Sequence, residues 1–137
     1  MCSSDLQLVA NYRRNGREST IEDAAEAIRR FELVFHRSSW GVQITDGETM
    51  RITDANPAFE RMHGYESGEM LGLTLANCVP SENHALMVSN AERLDREGQI
   101  VFESLHVRKD GSTFPVLVDA TAVKDAKDSY YEKCPMK

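Results

Sequence analysis

Residues 100–108 and 112–123 alternate side chains on either side of Lys109-Asp110-Gly111, a tripeptide with the chemistry of a tight turn. If that tripeptide is the whole loop, His106 opposes Phe114, Ser104 opposes Val116 and Phe102 opposes Val118. Successive strand side chains point to opposite faces, so the even-numbered residues of both strands share one face. That face reads Phe102, Ser104, His106, Phe114, Val116, Val118, Ala120 and Ala122, and is expected to be the core side. The odd face carries Val101, Leu105, Val107 and Leu117 and is too apolar to be simply wet. A helix or a second subunit is its natural cover.

A helix suited to that task precedes the strands. Ile21, Ala24, Ala25, Ile28, Phe31 and Phe35 recur at helical spacing and form one apolar stripe. Ser19-Thr20-Ile21-Glu22 has the form of a capping box, with acids early and Arg29, Arg30 and Arg37 late, as the helix dipole prefers. The expected helix runs over about residues 20 to 37, after a polar lead-in through residue 18. The period then shortens. Val42 and Ile44 alternate with Gln43 and Thr45, then Met50 and Ile52 with Arg51 and Thr53, around Asp46-Gly47, which reads as two short strands.

Asn56-Pro57 is a helix start with Asn as N-cap, and Gly64 can close that short helix in the left-handed conformation. Residues 66 to 80 read as helical turns and loop. Ser81 is expected to cap a further helix carrying Leu86, Met87, Ala91 and Leu94, ended by Gly98.

With 137 residues, 41% hydrophobic and 28% charged, the chain can build one core and is one domain's worth of sequence. A net charge of −6 argues against a nucleic-acid grip and against attraction to an anionic membrane. Cys2, Cys78 and Cys134 are odd in number and widely spaced, which suits a reducing compartment; no spanning run or signal peptide is evident, so a cytoplasmic location is expected.

Four stretches together are similar to the PAS domain family: Gly41-Val42-Gln43-Ile44-Thr45-Asp46-Gly47; Ile52 to Phe59 with Asn56-Pro57-Ala58-Phe59; His63-Gly64-Tyr65 with Glu69-Met70-Leu71-Gly72; and Arg108 to Val116 with Lys109-Asp110-Gly111. The resemblance covers about residues 31 to 123. It implies an α+β fold: a five-stranded antiparallel sheet of order 2-1-5-4-3, short helices over one face, and an N-terminal amphipathic helix of the kind many such domains use to dimerise. Domain bounds follow as 1–18 lead-in, 19–38 flanking helix, 39–133 PAS domain and 134–137 tail. The chain departs from the family at its end, where Asp125-Ala126-Lys127-Asp128 leads to Tyr130-Tyr131 in place of a hydrophobic fifth strand, so only a short strand is expected there.

The resemblance also implies a sensor, and three cofactor classes can be compared with it. The flavin photoreceptor branch keeps a cysteine three residues after the glycine of its motif, whereas Cys78 lies six residues after Gly72 and the branch's Arg and Gln are missing. Cys78 then reads as a small buried hydrophobe. A haem-binding pattern would set its histidine near Met87, not at His84. Flavin redox sensors tend to carry a tryptophan before the Lys-Asp-Gly turn, and the single tryptophan here is Trp40. No cofactor and no metal site is therefore assigned.

What remains is a small organic ligand or a filled interior. Candidate pocket residues are Phe59, Met62, Cys78, His84, Met87, Phe102, Ser104, His106, Phe114, Val116 and Val118. A ligand carboxylate held by Ser104 and a protonated His106 is one expectation; the other is that His106 bonds a backbone carbonyl or a helix side chain. His63 reads as a helix-end residue and Asn56 as a structural cap. No G-x-S-x-G, H-E-x-x-H or C-x-x-C occurs, so no catalysis is expected. The resulting reading is a sensory and dimerisation module of a signal-transduction protein, its homodimer formed through residues 20–37 and the outer sheet face. The effector (histidine kinase, cyclic-dinucleotide enzyme or helix-turn-helix regulator) would lie outside this chain. A ligand-free structural adaptor and a haem- or flavin-bearing redox or gas sensor are the alternatives.

Overall fold

A computed structural model describes residues 20–123 and the backbone of residues 130–134. The expectations for residues 1–18, and those resting on Asp125 and Asp128, lie outside the described residues. The chain divides into two compact units, residues 1–38 and 39–137.

The first unit contributes α1 (Ile21–Arg37). Its cap sits one residue later than the sequence suggests. Thr20 is the N-cap: its Oγ1 accepts from the Asp23 backbone N–H at 3.1 Å, and Asp23 answers by accepting from the Thr20 N–H. Asp23 reaches back as Glu22 was expected to, because the box is set by the hydroxyl three positions upstream. No residue of α1 is buried, and Ile21, Ile28, Phe31 and Leu33 of its stripe and flank are exposed.

The second unit is an antiparallel sheet with helical segments inserted between its hairpins. The order is β1 (Gly41–Thr45), β2 (Ile52–Ala55), α2 (Pro57–His63), two 3-10 turns (Leu75–Cys78 and Ser81–Asn83), α3 (His84–Glu97), β3 (Gln99–Val107), β4 (Thr113–Ala122) and β5 (Tyr130–Cys134). Between β3 and β4, Phe102 pairs with Val118, Ser104 with Val116 and His106 with Phe114, the register expected from the Lys109-Asp110-Gly111 turn. The even face is the inner one: Ile100, His106, Val116, Val118 and Ala120 are buried. On the odd face Val101 is exposed, and Leu105, Val107 and Leu117 are half-buried.

β1–β2 and β3–β4 are two antiparallel ladders, each closed by its own turn. β5 joins them, pairing with β1 on one side and β4 on the other, so that the five strands form one sheet in the expected order β2-β1-β5-β4-β3.

One correction concerns Ser81. It opens a 3-10 turn, and α3 begins only at His84, because the turn after Pro80 completes before the helix proper starts. The predicted ends hold: Gly64 and Gly98 close α2 and α3 with φ of 77° and 80°.

β1 turns its polar positions inward. Gln43 and Thr45 are fully buried, while Val42 and Ile44 are half-buried. Gly41 explains the parity. A Cβ there would lie 2.7 Å from Met62 Sδ and 3.1 Å from Phe59 Cα, so only glycine lets β1 lie this close to α2. Odd positions then face the core, and Thr45 Oγ1 donates to Gln43 Oε1 at 2.7 Å.

Candidate functional site

Asn56 fixes where α2 starts. Its Oδ1 accepts from the Phe59 and Val42 N–H groups, both at 2.9 Å, and its Nδ2 donates to the Trp40 carbonyl at 2.8 Å. One side chain thus caps the helix and ties it to the first strand. Phe59 and His63 are four residues apart, so they share a face, and both are completely buried. The His63 ring stacks on Phe59 at 4.2 Å between centroids. Gly64 ends the helix, and the Lys109 N–H donates to the His63 carbonyl at 2.8 Å, which holds the β3–β4 turn against the end of α2.

That docking brings His63 to His106. His63 Nδ1 bonds the Phe59 carbonyl at 2.8 Å, and His63 Nε2 bonds His106 Nδ1 at 2.9 Å. Phe114, cross-strand from His106, lies edge-on to both rings. The Arg108 guanidinium sits 4.3 Å from the centroid of the Phe114 ring. Burial holds both imidazoles below the usual histidine range. For His106 the depression reaches a pKa of about 3, from burial first and from His63 second. For His63, burial lowers the pKa, the Phe59 bond opposes it, and the Arg108 charge lowers it further. The pair is neutral at physiological pH.

The bonds then fix the tautomers. The Phe59 carbonyl can only accept, so His63 Nδ1 carries a proton and His63 Nε2 is an acceptor. His106 Nδ1 must donate to it. His106 Nε2 is left without a proton, and it has no hydrogen-bond partner among the described residues.

His106 also lines a cavity of about 320 Å³ between α3 and the inner sheet face. Met87, Ala91 and Leu94 of α3 form one wall, and Phe102, Ser104, His106 and Val118 form the other. Five of the expected pocket residues therefore meet there: Met87, Phe102, Ser104, His106 and Val118. The other six do not. Phe59, Cys78 and Val116 belong to the solid core, and Met62 and Phe114 pack against it. His84 Nε2 lies 2.9 Å from the Val79 carbonyl and 3.2 Å from that of Ala76, committed to the backbone of the preceding turn. Three cavity residues, Leu86, Ala91 and Leu94, enter the sequence reading only as apolar positions of the helix. The sequence reads His63 as a helix end; its i, i+4 spacing from Phe59 is the signal of burial.

Cys78 lies in the core and not on the cavity wall, so its thiol is not offered to a photoactive flavin there. His84 bonds backbone carbonyls, whereas Met87, where the haem-binding pattern sets its ligand, lines the cavity. The described residues contain no group of three or more His, Cys, Asp or Glu that could hold a metal ion, and no helix among them is long and apolar enough to cross a membrane.

The profile of the family described as PAS domain matches residues 41–132, the whole of the sheet and its inserted helices up to β5. The chain belongs to the PAS domain family. It is 30% identical over 109 residues, 78% of this chain and 11% of the relative, to the sensor histidine kinase TmoS of Ectopseudomonas mendocina. The chain spans about a tenth of the length of the curated relatives it matches. Among solved structures, this PAS domain shares its fold with a domain of a sensory box sensor histidine kinase/response regulator from Geobacter sulfurreducens. That likeness has a TM-score of 0.70 at 18% identity, over 88% of this chain and all of that one. The LOV protein of Rhodobacter sphaeroides is similar at a TM-score of 0.65 and 22% identity, over 74% of this chain and 62% of that one. This PAS domain is thus similar to a segment of a sensor histidine kinase.

Proposed function

We propose that this PAS domain is the sensory and dimerisation module of a signal-transduction protein, taking a small organic molecule into the cavity beneath α3 and passing the change to an effector outside this sequence. The observation that supports the reading is the cavity itself. Its walls are largely apolar, with Ser104 and His106 as polar points on the sheet side, and its volume of about 320 Å³ is at the lower end of small-molecule sites. Occupancy would favour one packing of α3 on the sheet over another, a population shift that the strands can carry onward. The exposed stripe of α1 supports pairing with a second copy, since Ile21, Ile28 and Phe31 lie on a helix with no buried residue.

Native mass spectrometry of the purified chain tests both parts. A dimer carrying a small extra mass that is lost in Ala91→Phe, which fills the cavity, is the expected result. Bare chain mass together with unchanged behaviour of Ala91→Phe would leave a ligand-free adaptor. A chain lacking residues 1–30 that still dimerises with unchanged affinity would remove α1 from the interface.

A further inference from the structure

We infer that the cavity selects neutral, largely apolar molecules bearing a hydrogen-bond donor, such as an alcohol, a phenol or an N–H heterocycle, through the unprotonated Nε2 of His106; the inference rests on the cavity being a binding site. Two neutral imidazoles carry two N–H groups. One is spent on the Phe59 carbonyl at 2.8 Å and the other on the 2.9 Å bond between His106 Nδ1 and His63 Nε2. The chain of bonds runs one way, from His106 through His63 to the backbone, and it leaves a bare nitrogen, Nε2, on a residue that lines the cavity.

His106 is 4% exposed, and a buried acceptor without a partner is costly. A ligand that donates to it removes that penalty. A ligand carboxylate cannot, since two lone pairs would face each other. This reverses the polarity expected from the sequence, where a protonated His106 was to hold an anion. Ser104, two residues away on the same face and also on the cavity wall, has a hydroxyl without a partner among the described residues. It can serve a second polar atom of either kind; Asn90, Glu92 and Asp95 line the α3 side of the cavity, so on the sheet side His106 sets the preference.

The test uses the full chain with three probes of closely similar shape: indole, whose N–H only donates; N-methylindole, which lacks the donor; and N-methylindole carboxylate, which offers only an anionic acceptor. Nitrogen NMR of the histidine rings at neutral pH is expected to show His106 Nε2 unprotonated, with its resonance moving when indole binds. Indole is expected to bind about ten-fold more tightly than N-methylindole, the worth of one hydrogen bond to a buried acceptor, and the carboxylate more weakly still. His106→Phe should abolish the difference between indole and N-methylindole. If that variant does not fold, the NMR of the unaltered chain decides alone. A protonated Nε2, or equal binding of N-methylindole or the carboxylate, overturns the donor preference and leaves the cavity as a site. Binding of none of the three overturns the cavity reading and this inference with it.

Discussion

His63 Nε2 and His106 Nδ1 lie 2.9 Å apart in the interior, joining the end of α2 to the turn end of β3. Both rings are neutral because burial depresses their pKa values, for His106 to about 3 from 6.5. In the unfolded chain each would titrate near 6.5, so below that pH the unfolded state binds more protons than the folded one. Stability is therefore full above pH 6.5 and falls with pH from there toward about 3. The slope is about 1.4 kcal/mol per pH unit for each such proton. Urea denaturation at neutral pH and at two mildly acidic values checks this. A midpoint that does not move below pH 6.5 would show that the pair is not neutral and buried.

Asn56 has a different kind of importance, since one amide holds three backbone groups from two elements. Asn56→Ala removes the cap and leaves the Val42 N–H and the Trp40 carbonyl without this partner. The expected loss is about 2–4 kcal/mol, more than the roughly 1 kcal/mol of an isolated N-cap. Asn56→Asp, which keeps Oδ1 and loses the donor to Trp40, should fall between the two. Denaturant midpoints of both variants check the order.

Much of this fold is legible locally. The alternation around Lys109-Asp110-Gly111 sets the register that puts Ser104 and His106 on one inner face, because strand parity admits only two choices and the even one is apolar. Asn56-Pro57 and Gly64 mark α2 because capping is a matter of a few adjacent residues. What escapes is the result of tertiary approach. Nothing near His63 in sequence announces His106, 43 residues away; the two meet because the Lys109 N–H bonds the end of α2. Likewise, the inward turn of Gln43 and Thr45 follows from the close approach of Gly41 to Phe59 and Met62, which no local pattern encodes. Sheet parity marks the strand wall of the cavity, whereas the placement of α3 above it depends on a turn between Pro80 and His84 that capping rules misjudge by two residues.

Gly41 and Gly64 are both required, for different reasons, and alanine separates them. At Gly41 the added methyl would meet Met62 Sδ at 2.7 Å and the Phe59 backbone at 3.1 Å. The sulfur can move but the Cα cannot, so β1 must shift; the expected loss is about 1–3 kcal/mol, with perturbed methyl resonances at Met62. At Gly64 the nearest atom is 3.8 Å away, and the penalty is conformational, φ being 77°. About 1 kcal/mol is expected there, without rearrangement of neighbours. A Gly41→Ala protein with native stability and an unchanged Met62 signal would contradict the close approach of β1 and α2.

Arg108 offers a way to retune the histidine pair without touching either ring. Its guanidinium lies over Phe114, its Nη1 donates to Ser112 Oγ at 3.1 Å, and its charge helps to hold the His63 pKa down. Arg108→Met keeps the long stem against Phe114 and removes the charge. The His63 pKa should then rise toward its ordinary value, which narrows the gap between folded and unfolded titration. With a smaller gap, less stability is lost as the pH falls below 6.5, so the variant's acid sensitivity is shallower than that of the parent. At neutral pH the lost cation–π contact is worth about 0.5–1 kcal/mol and lowers the midpoint slightly. The two stability curves therefore draw together on acidification. Curves that stay parallel from neutral to acidic pH would mean that the Arg108 charge does not reach His63.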